Sequence, residues 1–108
     1  MEATLNDAQT ELSYVISYSG LQGAETVAHF HNAPPGQSGP PVHLLPETNP
    51  KTGTWAISAD MVAELLAGNI YANIHSDLHP AGEIAGWLEE TTVPVEATTL
   101  SQVRVLFR

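Results

Sequence analysis

Residues 70–76 read Ile-Tyr-Ala-Asn-Ile-His-Ser and residues 26–32 read Thr-Val-Ala-His-Phe-His-Asn. Both alternate with a period of two. On a strand, successive side chains point to opposite faces. Ile70, Ala72 and Ile74 therefore fall on one face, and Tyr71, Asn73 and His75 on the other. Ala28 and Phe30 likewise oppose His29 and His31. The same period runs through Thr10–Ser19, where Leu12, Tyr14, Ile16 and Tyr18 alternate with Ser13, Val15 and Ser17. These stretches predict half-buried strands.

Working outward, Gly20–Gly23 turns the chain between the first two strands. Ala33–Pro41 holds four Pro and two Gly, which no helix or central strand tolerates. It reads as an ordered loop or lid. Val42–Leu45 is a short apolar run, Pro46–Gly53 a turn-rich stretch, and Thr54–Ile57 a brief strand. One segment has a helical stripe. Ser58 or Asp60 caps it, Met61, Leu65 and Leu66 form the stripe, and Gly68 ends it, which predicts a helix over Asp60–Ala67. His79–Gly82 is a turn, Glu83–Leu88 a further strand, and Val103–Phe107 a terminal one. Short strands at regular intervals around one short helix predict an all-β fold: an antiparallel Greek-key β-sandwich or barrel with one short helix.

The chain has 108 residues, which suits a single domain over 1–108. Lys+Arg number 3 against 12 Asp+Glu, a net charge of −9. That balance argues against nucleic acid and anionic membrane surfaces, which require basic patches. No apolar run is long enough to insert across a membrane. There is no cysteine, hence no disulfide, thiolate ligand or Cys nucleophile. The opening Met1-Glu2-Ala3 has no charged-then-apolar leader, so a signal peptide is absent or already removed. Five His outnumber all Lys and Arg.

His29 and His31 point the same way from one strand, about 6.6–6.8 Å apart along it. His75 occupies the polar face of another. If those strands are neighbours, three imidazoles converge, and His43 or His79 is the candidate fourth ligand. Imidazole without thiolate or thioether neighbours suits copper(II), zinc or nickel, and copper heads the affinity order. Three His with one open position fits zinc also. Asp77 and Glu83 are candidate acceptors that fix an imidazole's tautomer, or simply turn and surface acids.

Two long motifs carry a family resemblance. Residues 18–40, YSGLQGAETVAHFHNAPPGQSGP, and residues 65–88, LLAGNIYANIHSDLHPAGEIAGWL, resemble the opening and closing motifs of the CHRD domain. The first pattern is a Gly-Leu turn, Ala-His-x-His and a Gly/Pro loop. The second is Leu-x-x-Gly-x-x-Tyr-x-Asn-x-His followed by Pro-x-Gly-Glu-Ile-x-Gly. The match covers Tyr14 to Leu88, about seventy per cent of the chain. It implies an all-β, immunoglobulin-like or Greek-key fold and an extracytoplasmic setting, periplasmic or secreted. Two departures stand out: Ala85 replaces the usual Arg before the last Gly, and the family's leading strand pair is missing. Val103–Phe107 is then expected to fill the vacant edge, within the chain or across a homodimer, because an edge does not stay bare. A weaker similarity, in ligand order only, links the His pattern to Cu/Zn superoxide dismutase.

Three functions follow as expectations. The first is an extracytoplasmic copper-binding chaperone, buffer or storage module. The second is a copper-dependent superoxide dismutase-like enzyme, disfavoured by the missing positive charge that would guide an anion. The third is a metal-free structural or adhesion module.

Overall fold

The computed structural model describes residues 1–91 and 105–107. Two antiparallel sheets form a sandwich with one short helix. The strands are β1 (Glu2–Leu5), β2 (Leu12–Ile16), β3 (Glu25–Asn32), β4 (Pro41–Leu44) and β5 (Lys51–Trp55), then the helix α1 (Ala59–Leu66), then β6 (Ile70–Ser76), β7 (Ile84–Trp87), β8 (Glu90–Thr91) and β9 (Val105–Phe107). One sheet runs β5-β2-β1-β9-β8 and the other β4-β3-β6-β7. The chain passes from one sheet to the other after β2, β4, β5 and β7.

Alternation builds the core. Leu12, Tyr14 and Ile16 from β2 meet Ala28 and Phe30 from β3 and Ile70, Ala72 and Ile74 from β6, all buried. Tyr14 and Phe30 pack edge to face with centroids 5.2 Å apart, a geometry the ring quadrupoles favour. The helix closes one end with Val62 and Leu65. Ser58 accepts the Met61 N–H at 3.3 Å, as an N-cap must, and Gly68 follows with φ +83°. Leu66, expected in the apolar stripe, is 40% exposed, and Val62 takes its place.

The leading strand is present, contrary to the expectation from the short N-terminal segment. Ala3 and Leu5 of β1 are buried and Glu2 faces out. Asn6 turns the chain by accepting the N–H groups of Thr10 and Glu11, so four residues suffice to pair with β2 in register Glu2↔Val15 to Leu5↔Leu12. A strand this short contains too few alternations to be conspicuous in the sequence. The terminal strand lies within the chain's own sheet, between β1 and β8. It begins at Val105; Val103 and Arg104 lie outside the described residues. Lys51–Gly53, expected in a turn, belong to β5, where the Lys51 side chain is drawn fully inside.

Candidate metal centre

The site lies on the outer face of the β4-β3-β6-β7 sheet. β3 and β6 pair antiparallel with His29 opposite Asn73 and His31 opposite Tyr71. Because Phe30 and Ile74 are held in the core, pleating forces His29, His31 and His75 outward together. Their ring centroids form a near-equilateral triangle: 5.5 Å between His29 and His31, 5.5 Å between His29 and His75, and 5.8 Å between His31 and His75. One ring nitrogen from each lies within 4.8 Å of one from each of the others.

This face is not open to solvent in the way an outer sheet face suggests. The Ala33–Pro40 loop folds over it. The Asn32 N–H bonds the Pro40 carbonyl and the Ala33 N–H bonds that of Asn69. Trp87 Nε1 donates to the Ala33 carbonyl at 2.9 Å. Gly39 comes so close to the strand that a Cβ there would sit 1.9 Å from the Asn32 carbonyl oxygen, so only glycine fits. Beneath this cover His31 is 7% exposed, stacked on Tyr71 at 5.0 Å. Tyr71 in turn packs on Trp87 at 4.6 Å. A groove of about 250 Å³ opens beside Tyr71, Asn73, Gly82 and Trp87.

Hydrogen bonding fixes the rings. His31 Nδ1 donates to the Gly39 carbonyl and His75 Nδ1 to the Pro80 carbonyl, each at 2.8 Å. A carbonyl only accepts, so both Nδ1 atoms carry the proton and both Nε2 atoms present bare lone pairs. Those Nε2 atoms are buried without a partner, as is Nδ1 of His29. Burial holds the His29 pKa below the usual imidazole range, and the neighbouring His31 and His75 push the same way. A neutral imidazole is the form a metal needs. Buried polar atoms are nearly always paired, and three unpartnered ring nitrogens converging on one space could hold a metal ion.

The other two candidates lie elsewhere. His43 pairs in register with Phe30 and therefore faces the core. It stacks on Trp55 at 5.3 Å, its Nε2 lies 3.4 Å from the Tyr14 hydroxyl, and burial lowers its pKa. His79 stays exposed in the β6–β7 turn, with Nε2 3.4 Å from Gln22 Oε1. Neither joins the triangle, since register turned one inward and the turn carried the other away.

The two acids also do other work. Asp77 accepts the Ala24 N–H at 2.9 Å. Glu83 accepts the N–H groups of Gln22 and Gly23 and the Ser76 hydroxyl. Desolvation alone would raise the Glu83 pKa; the backbone donors of Gln22 and Gly23, the Ser76 hydroxyl and nearby His79 outweigh it and hold the carboxyl below its usual range. Glu83 thus ties the Gly-Leu turn to the Gly-Glu-Ile segment, two distant motifs joined in space. The tautomers are set by carbonyls of Gly39 and Pro80 instead, and no side-chain pattern in the sequence announces a carbonyl.

With this geometry in hand, comparison with known proteins gives one match. The family model described as CHRD domain matches residues 1–88, a span that includes β1 through β7 and all three site histidines. No curated protein and no solved structure matches the chain.

Proposed function

We propose that this chain, which belongs to the CHRD domain family, holds one copper ion on His29, His31 and His75 and serves as an extracytoplasmic copper chaperone, buffer or storage module. The observation that carries the reading is the trio of imidazoles whose orphaned nitrogens converge under a folded loop. A nitrogen-only donor set suits copper(II) or zinc, and copper binds such sites more tightly. A chain of net charge −9 attracts a cation over long range. The absence of cysteine removes the thiolate ligands that favour copper(I).

The test is elemental analysis of tag-free protein followed by copper(II) and zinc titration calorimetry. One ion per chain is expected, with copper held more tightly than zinc. Replacing His29 and His31 together with Ala should weaken copper binding by about 100-fold or more, since two of three ligands go. A double variant that bound copper as tightly as the parent, or a parent that bound no ion, would refute the proposal.

A further inference from the structure

The three imidazoles meet over one point of the sheet, and the register identifies it. His31 stands opposite Tyr71 and His75 opposite Val27. Those rungs are four residues apart along β6, about 13 Å at the usual strand rise. Yet the His31 and His75 rings are 5.8 Å apart. Both side chains must therefore lean toward the middle rung, which is His29 opposite Asn73. His29 is already one of the three rings. Asn73 is the remaining side chain of that rung, on the same face.

Asn73 is 7% exposed. Its Nδ2 donates to the Ala81 carbonyl at 3.1 Å, which fixes the orientation of the amide, because only the NH₂ end can face a carbonyl. The atom left over is Oδ1, buried and without a donor. Gly82 closes against the amide; a Cβ there would lie 2.1 Å from Oδ1. Among the described residues, the buried side-chain nitrogen and oxygen atoms lacking a partner all belong to His29, His31, Asn73 and His75.

We infer that Asn73 Oδ1 is the fourth donor atom of this site, completing a set of three nitrogens and one oxygen. The inference rests on reading the three imidazoles as a metal site. An amide oxygen is a hard, neutral donor. It favours copper(II) over copper(I), whose preferred ligands are thiolate and thioether sulfur. Asn73 therefore governs which oxidation state the site retains.

The experiment compares copper(II) and copper(I) affinities of the full chain by competition with chromogenic chelators, for the parent, Asn73→Leu and Asn73→Asp. The Leu variant is expected to lose about tenfold in copper(II) affinity, with copper(I) affinity changed by less than about twofold. That tenfold change in the ratio raises the copper potential by about 59 mV for one electron. The Asp variant, with an anionic oxygen in the same place, should bind copper(II) more tightly and lower the potential; it carries the test if the Leu variant does not fold. If the parent binds copper and both variants hold copper(II) within about twofold of it, Asn73 is no ligand and the inference fails alone. Equal loss of both ions would assign Asn73 a structural role and also overturn it. A parent that binds neither ion overturns the proposed function together with this inference.

Discussion

Two clusters of buried polar groups lie in this sandwich, and they are built on opposite terms. At one, Lys51 is fully buried, and its ammonium donates to Glu25 Oε2 at 2.9 Å and to the carbonyls of Pro46 and Thr48 at 2.6 and 3.0 Å. Three protons find three acceptors. The Tyr18 hydroxyl donates to the other Glu25 oxygen, and the Tyr18 ring lies 5.3 Å from the ammonium. Burial first, and then the hydrogen bond and negative charge of Glu25, push the Tyr18 pKa up to about 12. At the other cluster, His29, His31, Asn73 and His75 each keep an unpartnered atom. The first cluster is complete in itself and joins β5 of one sheet to β3 of the other. The second is incomplete by the same accounting, with four polar atoms that no protein group satisfies.

The strongest way to break this comparison is Lys51→Met. Removing one partner of a buried, fully bonded pair strands the other, so chemical denaturation should report a loss of about 3–5 kcal/mol. A loss below about 1 kcal/mol would mean that the Lys51 cluster is not self-sufficient.

Copper should act on the second cluster alone. At a free concentration one hundred times the dissociation constant, binding to the folded state should add about 2.7 kcal/mol to stability, read as a rise in Tm. The rise should vanish in the His29→Ala/His31→Ala variant and persist in Lys51→Met.

A sharper contrast lies within the site. His31→Ala should cost about 1–3 kcal/mol in the metal-free protein, because it removes the close donor of the part-buried Gly39 carbonyl, leaves that carbonyl only the Tyr71 hydroxyl at 3.5 Å, and unstacks Tyr71. His29→Leu, which removes an orphaned polar atom and puts apolar volume in its place, should be neutral or slightly stabilising while reducing copper binding. Similar stability losses from both would show that His29 also has a structural partner.

Acid should expose the lowered imidazoles. For His29 and His43 the folded pKa lies below the unfolded value of about 6.5. Above that value both states are neutral and the stability is fully present. As pH falls below about 6.5 the unfolded chain takes up protons that the folded one resists, so metal-free stability declines until the folded pKa is passed. His43→Phe should flatten that decline without touching copper binding. Copper affinity should fall over the same range, because protons compete for the ligand nitrogens.

The smallest expected effect is turnover. Superoxide dismutation by the copper-loaded protein should stay far below the diffusion limit and rise with added salt, since screening relieves the repulsion of an anion by a chain of net charge −9. A fast rate suppressed by salt would favour the enzyme reading.

Alternation in the sequence determined a good deal. It set the faces of β2, β3 and β6, and with them the outward direction of His29, His31 and His75 and the inward direction of Phe30 and Ile74. Ser58, Gly68 and the apolar stripe located the helix to within a residue. These are local consequences of a period of two or of 3.6, carried by adjacent residues. What alternation cannot carry is which strand lies beside which, in what register, and under what cover. Pairing β3 with β6 so that His29 stands opposite Asn73 brought the three imidazoles together; pairing β4 so that His43 stands opposite Phe30 sent that ring into the core. Carbonyls of Gly39 and Pro80, supplied by loops, chose the tautomers. Lys51, a charged residue in a turn-rich stretch, is fully buried because Glu25, distant in the chain, and the carbonyls of nearby Pro46 and Thr48 meet it there. The strand pairings and the Lys51–Glu25 contact join residues far apart in the chain, and the carbonyl contacts depend on how each loop folds back on its strand, so only the tertiary structure could decide them.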